Sequence, residues 1–338
     1  LAKKLPDKLS KFFFTNSGSE SNDLALRLSR TFTGSTDTVV LEGAYHGHLI
    51  SLIEISPYKY DGPGGTGAPH YVHALPIPDS FRGRFRGDSC GDLYLKEVKN
   101  ILYGSKAKKK HSYTFIAESV MGCGGQLIPP EGYISGCYNL IQENDGVCIA
   151  DEVQVGFGRL GEKFWGFETQ RVIPDIVTLG KSIGNGHPLS LVVTTSEIAK
   201  KFNNGMEYFN SYGGNPVSCA IGHAVLKIIE NEDLQSRSKK VGGKLKSMLV
   251  NLQKNHDIIG DVRGMGLFIG IELIQKKGTL YPNSTAAGSI VNTMRNRGIL
   301  LSVDGLDKNV IKIKPPMVFN ERNASFLVEN LDAVLSNY

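Results

Sequence analysis

Five short apolar runs, most of them closing on a polar or acidic residue or running into Gly, constrain this chain more than any other feature. They are Thr38-Val-Val-Leu-Glu42, Tyr113-Thr-Phe-Ile-Ala-Glu118, Val147-Cys-Ile-Ala-Asp151, Asp175-Ile-Val-Thr-Leu179 and Ser190-Leu-Val-Val-Thr194. Runs that are apolar throughout, rather than alternating, need cover on both faces, which a parallel sheet sandwiched by helices provides. Phe12-Phe-Phe-Thr15 adds a sixth run, and Leu24, Leu28 and Phe32 follow it at helical spacing. The pattern predicts an α/β fold with a mainly parallel, doubly wound sheet. Ligands of such sheets gather at the carboxyl ends of the strands, and the unusual polar clusters of this chain all fall there.

Beyond about residue 217 the pattern changes. Helical stretches are expected to about Asn231 and then to about Lys254, followed by two strands with a Gly-rich turn within Ile258–Glu272. A helix around Ala286–Arg297, strands at Leu300 and Val310–Lys314 and a last helix from Asn323 complete a smaller α+β domain. The expected division is a large domain over 1–235, lacking its N-terminal part, and a C-terminal domain over 236–338. The chain opens on Leu1 rather than Met, the pattern of a fragment.

A chain of 338 residues, 41% hydrophobic and 21% charged, is neither disordered nor fibrous in composition. A net charge of +5 gives no reason to expect a nucleic-acid partner, and the run Lys106–Lys110 reads as a solvated loop. No apolar stretch reaches the ~18 residues of a membrane span. The cysteines Cys90, Cys123, Cys137, Cys148 and Cys219 contain no CxxC pair, so neither a zinc site nor a disulfide framework is expected. That usage fits a reducing compartment.

Three features carry chemistry. Ser17-Gly-Ser-Glu-Ser-Asn22 opens a helix directly after a strand, where unpaired N–H groups and hydroxyls can hold a phosphate; alone, it reads as well as a plain N-cap. Asp151 places a carboxylate at the tip of a buried strand, where it needs a partner. Lys181, in Leu179-Gly-Lys-Ser-Ile-Gly-Asn-Gly186, ends another strand, and a partly desolvated amine there is a nucleophile toward aldehydes. Gly156-Phe-Gly-Arg-Leu-Gly161 matches a dinucleotide fingerprint only in letters, because neither a directly preceding strand nor a following helix frames it.

Together with Ala44-Tyr-His-Gly-His48, Asp151-Glu-Val-Gln-Val-Gly-Phe-Gly-Arg159 and Tyr212-Gly-Gly-Asn-Pro216, these segments resemble the serial landmarks of the class III pyridoxal-phosphate (PLP) aminotransferases. The resemblance spans nearly the whole chain and implies the type I fold of PLP-dependent transferases. It implies that Gly18 and Ser19 bind the cofactor phosphate and that Tyr45 stacks on the pyridine ring. Asp151 would pair with the ring nitrogen, Val153 pack under the ring and Gln154 lie near its phenolic oxygen. Lys181 would join the cofactor covalently. Ser211, where the family usually has Thr, would reach the phosphate of a partner subunit's cofactor in a homodimer or tetramer. His46 reads equally as structural or functional.

Within that family the chain is most similar to phospho-lyases acting on ethanolamine phosphate or 5-phosphohydroxylysine, through runs such as Pro78-Asp-Ser-Phe-Arg-Gly-Arg-Phe-Arg86 and Lys312-Ile-Lys-Pro-Pro-Met317. Many class III members carry an Arg at the position of Lys312 to grip a substrate α-carboxylate, and Lys does not reproduce that bidentate fork. Ethanolamine phosphate has no carboxylate. The resemblance thus implies a small phosphorylated amine as substrate, with Lys59, Arg82, Arg84 and Arg86 as candidates for its phosphate. An ω-amino aminotransferase and a truncated, inactive homologue are the rival readings. The related enzymes suggest mitochondria, with the cytoplasm as the alternative. Ser21 stands where the family commonly has Ala, and residues 61–70 are unusually Gly-rich.

Overall fold

A computed structural model describes residues 1–87, 89–104 and 111–338. The Lys106–Lys110 run lies outside the described residues. Two compact units form: one from 1–119, 129–157 and 165–228, the other from 120–128, 158–164 and 229–338.

The first unit is built on a seven-stranded sheet of order β1-β7-β6-β5-β4-β2-β3. Its strands are β1 (Leu9–Thr15), β2 (Thr38–Leu41), β3 (Val72–Leu75), β4 (Thr114–Glu118), β5 (Val147–Asp151), β6 (Ile176–Leu179) and β7 (Ser190–Thr195). Every residue of β2, β4, β5 and β6 is buried, as continuous apolar runs require. β3, β2, β4, β5 and β6 pair in parallel, whereas β7 runs antiparallel to both β6 and β1. Register places Glu118 beside Asp151 and Asp151 beside Thr178, so three strand ends line up in one row. The short β3 and the helices Cys90–Tyr103 and Tyr133–Glu143 lie outside the elements expected from the sequence. β3 is an edge strand with a half-exposed His73 at its centre, too short and mixed to stand out as a buried run.

The helix Gly18–Thr33 lays Leu24, Ala25 and Leu28 into the core that also holds Val40, Ile116, Ile149 and Ile176. Ser17 caps its start by accepting from Glu20 N, and Gly34, at φ 71°, closes its end in the left-handed conformation.

The second unit carries the four-stranded antiparallel sheet β10-β11-β9-β8, from β8 (Ile259–Met265), β9 (Phe268–Leu273), β10 (Ser302–Asp304) and β11 (Val310–Ile313). Its core joins Ile269, Ile271 and Ile311 to Leu249, Ile290 and Leu331 from the helices Leu234–Asn255, Ser284–Asn296 and Glu321–Leu335. The sequence suggested a single boundary at 235, but 120–128 and 158–164 also sit in this unit. They are held there by Gly305 N donating to Cys123 O at 2.9 Å and Leu267 N donating to Arg159 O at 3.0 Å.

Ile149 is fully buried in the middle of β5. Ile149→Ala should cost about 2–5 kcal/mol through lost burial and the cavity left behind, read as a lowered denaturant midpoint. A loss below about 1 kcal/mol would show that the sheet closes over the gap.

Candidate active site

A cavity of about 220 Å³ opens at the carboxyl ends of the strands in the first unit. Of the eight site residues expected from sequence, Gly18, Ser19, Tyr45, Asp151, Val153, Gln154 and Lys181 line it, although they come from four separate stretches of chain. Ser211 does not line it and is exposed.

The wall begins where β1 hands over to the helix Gly18–Thr33. A Cβ at Gly18 would stand 2.9 Å from Val153 Cγ1, so the helix start lies flush against the turn after β5. Ser19 Oγ accepts from His48 N at 3.3 Å, tying the 44–48 segment to the same helix start.

Asp151 ends β5 with 4% exposure. Its Oδ2 accepts from Asn22 Nδ2 at 2.8 Å and faces His46 Nδ1 at 2.9 Å, while Oδ1 accepts from Val153 N at 3.1 Å. Among the described residues His46 is the one basic side chain within ion-pair distance of it. Gln154 Nε2 lies 3.5 Å from Glu118 Oε2, the neighbouring strand end.

Lys181 follows Gly180 at the end of β6, with φ 37°, in the left-handed region that non-glycine residues enter at a cost of about 1–3 kcal/mol. Its backbone is held by Asn185 N donating to Lys181 O at 3.1 Å. The side chain is exposed. The partial desolvation expected from its strand-end setting is therefore not present in the single chain.

None of Lys59, Arg82, Arg84 or Arg86 lines the cavity. Lys59 Nζ lies 5.7 Å from the centre of the ring of the lining residue Tyr45, and Arg84 pairs with Glu97 at 3.5 Å.

Sequence reasoning assigned no task to Glu152, which turns away from Asp151 into the scaffold. Its carboxylate accepts from Ser119 Oγ at 2.9 Å, Gly166 N at 2.7 Å and Phe167 N at 2.8 Å. Burial pushes its pKa up from 4.5 to about 7, against the pull of those donors. The signal available in sequence was a second acid directly after a buried strand.

A model of the class-III aminotransferase family matches residues 1–335. The chain belongs to that family. It is 51% identical over 331 residues to an alanine–glyoxylate aminotransferase 2-like protein of Drosophila melanogaster, spanning 96% of this chain and 67% of that protein. It is 43% identical over 342 residues to ethanolamine-phosphate phospho-lyase homolog 1 of Caenorhabditis elegans, spanning 97% of this chain and 73% of that protein. A solved phospholyase from Arthrobacter, in complex with phosphoethanolamine, superposes with a TM-score of 0.93 at 36% identity, over 99% of this chain and 79% of that one.

As a class III aminotransferase homologue, the chain is a PLP-dependent enzyme of type I fold. The cavity fits the cofactor chemically. It offers a helix start with two serines for a phosphate, a buried carboxylate at a strand end for a pyridinium, and a lysine amine for an aldehyde.

Gly18→Ala should weaken PLP binding on the order of tenfold, because overpacking costs about 1–3 kcal/mol; adding Val153→Ala should recover part of it in a fluorescence titration. Glu152 binds more protons folded than unfolded between 4.5 and about 7. Its contribution to stability is thus full below 4.5 and is lost as pH rises through about 7. The thermal-stability gap between wild type and Glu152→Gln should accordingly narrow from pH ~5 to ~8; a constant gap would place the group at its ordinary pKa.

Proposed function

We propose that the chain is a phospho-lyase that converts ethanolamine phosphate and water to acetaldehyde, ammonia and inorganic phosphate. The observation that carries this reading is the state of Lys312. Its Nζ lies 2.9 Å from Asp304 Oδ2, and the same oxygen accepts from Gln126 Nε2 at 2.8 Å. A single ammonium already met by a carboxylate cannot supply the guanidinium fork that holds an α-carboxylate. A substrate without that group is the chemical match, and 5-phosphohydroxy-L-lysine, which has one, fits less well. The phospho-lyase names of two similar proteins support the same substrate class.

In this reading the helix start at Gly18 and Ser19 holds the cofactor phosphate, Tyr45 stacks on the ring and Val153 packs beneath it. Asp151 keeps the ring nitrogen protonated, and Gln154 sits by the phenolic oxygen. Lys181 carries the cofactor. When bound, PLP supplies an electron sink for the pair released as the carbon bearing the substrate amine loses its proton. Lys181 Nζ takes that proton, and phosphate departs from the adjacent carbon. Ser211 reaches a partner subunit's cofactor in a homodimer. Its exposure beside Phe209 and Tyr212, 77% and 74% exposed, supports a covering chain.

Transamination is the second reading, favoured by the name of the Drosophila relative. It shares the early steps but needs a keto acid to regenerate the cofactor. Full-length protein given ethanolamine phosphate and no keto acid should release inorganic phosphate, and Lys181→Ala should slow release on the order of a thousandfold. Phosphate release only with an acceptor present, or no release at all, would overturn the lyase reading.

A further inference from the structure

His46 stands beside Tyr45 in sequence, and its imidazole meets the carboxylate at the end of β5. Its side chain is completely buried, and Nδ1 lies 2.9 Å from Asp151 Oδ2. Opposite a carboxylate oxygen, Nδ1 is the nitrogen that carries hydrogen. The loop is fixed at this residue from two sides. His46 N donates to Ser56 Oγ at 2.9 Å, and Asn22 Nδ2 donates to His46 O at 2.7 Å. The same Asn22 Nδ2 donates to Asp151 Oδ2, so one amide ties the histidine backbone to the carboxylate it serves.

The carboxylate therefore accepts from three fixed donors: Asn22, His46 and Val153 N. A carboxylate has about four lone-pair sites. One acceptor site remains, on a group that lines the cavity. His46 Nε2 is buried with no hydrogen-bond partner. A proton there would be a buried donor facing no acceptor, a cost of about 1–3 kcal/mol or more. A neutral ring, with hydrogen on Nδ1 alone, avoids that cost and leaves the negative charge of Asp151 uncancelled for the cofactor.

We infer that His46, with Asn22, is a positioning residue that fixes the Asp151 carboxylate and aims its remaining acceptor site at the ring nitrogen of PLP. The inference rests on the reading of Asp151 as the partner of that nitrogen. A structural histidine would support PLP and any analogue of the same shape alike. A histidine acting through Asp151 matters only when the ring has a nitrogen to pair.

The test compares PLP with its phosphorylated deaza analogue, in which carbon replaces the ring nitrogen, on full-length apo-protein by fluorescence titration. Wild type should bind PLP more tightly than the analogue. His46→Leu should weaken PLP binding tenfold to a hundredfold, on the order expected for a hydrogen bond to a charged group, and leave the affinity for the analogue within about twofold. His46→Asn places an amide nitrogen where Nδ1 stands and should restore PLP affinity, whereas His46→Gln, whose amide reaches the Nε2 position, should not. The Asn and Gln variants keep the comparison decisive even if the Leu variant fails to fold, and apo-protein thermal unfolding reports their stability separately. Equal losses for PLP and the analogue, or equal behaviour of Asn and Gln, would overturn the positioning role. Equal affinity of wild type for the two ligands would instead overturn the reading of Asp151 itself.

Discussion

Burying the Asp151 carboxylate at the tip of the central strand would cost several kcal/mol if it were left unpaired, and the way that cost is met organises the site around it. The donors come from the helix Gly18–Thr33 through Asn22, from the 44–48 segment through His46, and from the following turn through Val153 N. Each is a different stretch of chain, and each also supplies lining residues to the cavity. Satisfying one charge therefore brings the helix start at Gly18 and Ser19, the aromatic Tyr45 and Val153 together around one cavity. The gap at Gly18, with no room for a Cβ against Val153, is what that convergence looks like at its tightest point.

The adjacent acid does the opposite task. Side chains alternate along an extended backbone, so Asp151 and Glu152 face different ways from one strand end. Glu152 gathers Ser119 and the amides of Gly166 and Phe167, binding the scaffold behind the site while Asp151 serves the cavity in front. Two neighbouring carboxylates thus fix both sides of the turn that carries Val153 and Gln154. In the second unit, Asp304 plays a comparable part for Lys312, answering a cation with a carboxylate so that its charge is already committed. The proposed substrate preference follows from that pairing rather than from any feature of the cofactor cavity.

Periodicity and continuous burial fixed the fold class from the sequence alone, because strands covered on both faces must be apolar throughout and the runs ending at Glu42, Glu118 and Asp151 are. That Lys181, Asp151 and the Ser17–Ser19 segment would stand at strand ends around one cavity was also legible, since charged and polar groups at the ends of buried strands have few bland explanations when three occur together. What could not be read was direction and distance. The antiparallel course of β7 leaves no mark in composition, the edge strand β3 is short and mixed, and the segments 120–128 and 158–164 join the second unit through backbone hydrogen bonds that any residue can make. The roles of His46 and Glu152 depend on what their side chains meet, Asp151 at 105 positions away for His46 and partners 14 to 33 positions away for Glu152, in contacts that no local pattern encodes. The exposure of Lys181 likewise departs from its strand-end expectation, because desolvation is a property of everything packed around an amine and not of its own neighbours in sequence. Sequence settled which groups were present and on which elements they sat; tertiary structure alone decided which of them share a hydrogen bond, because that requires positions within about 3 Å of one another in space.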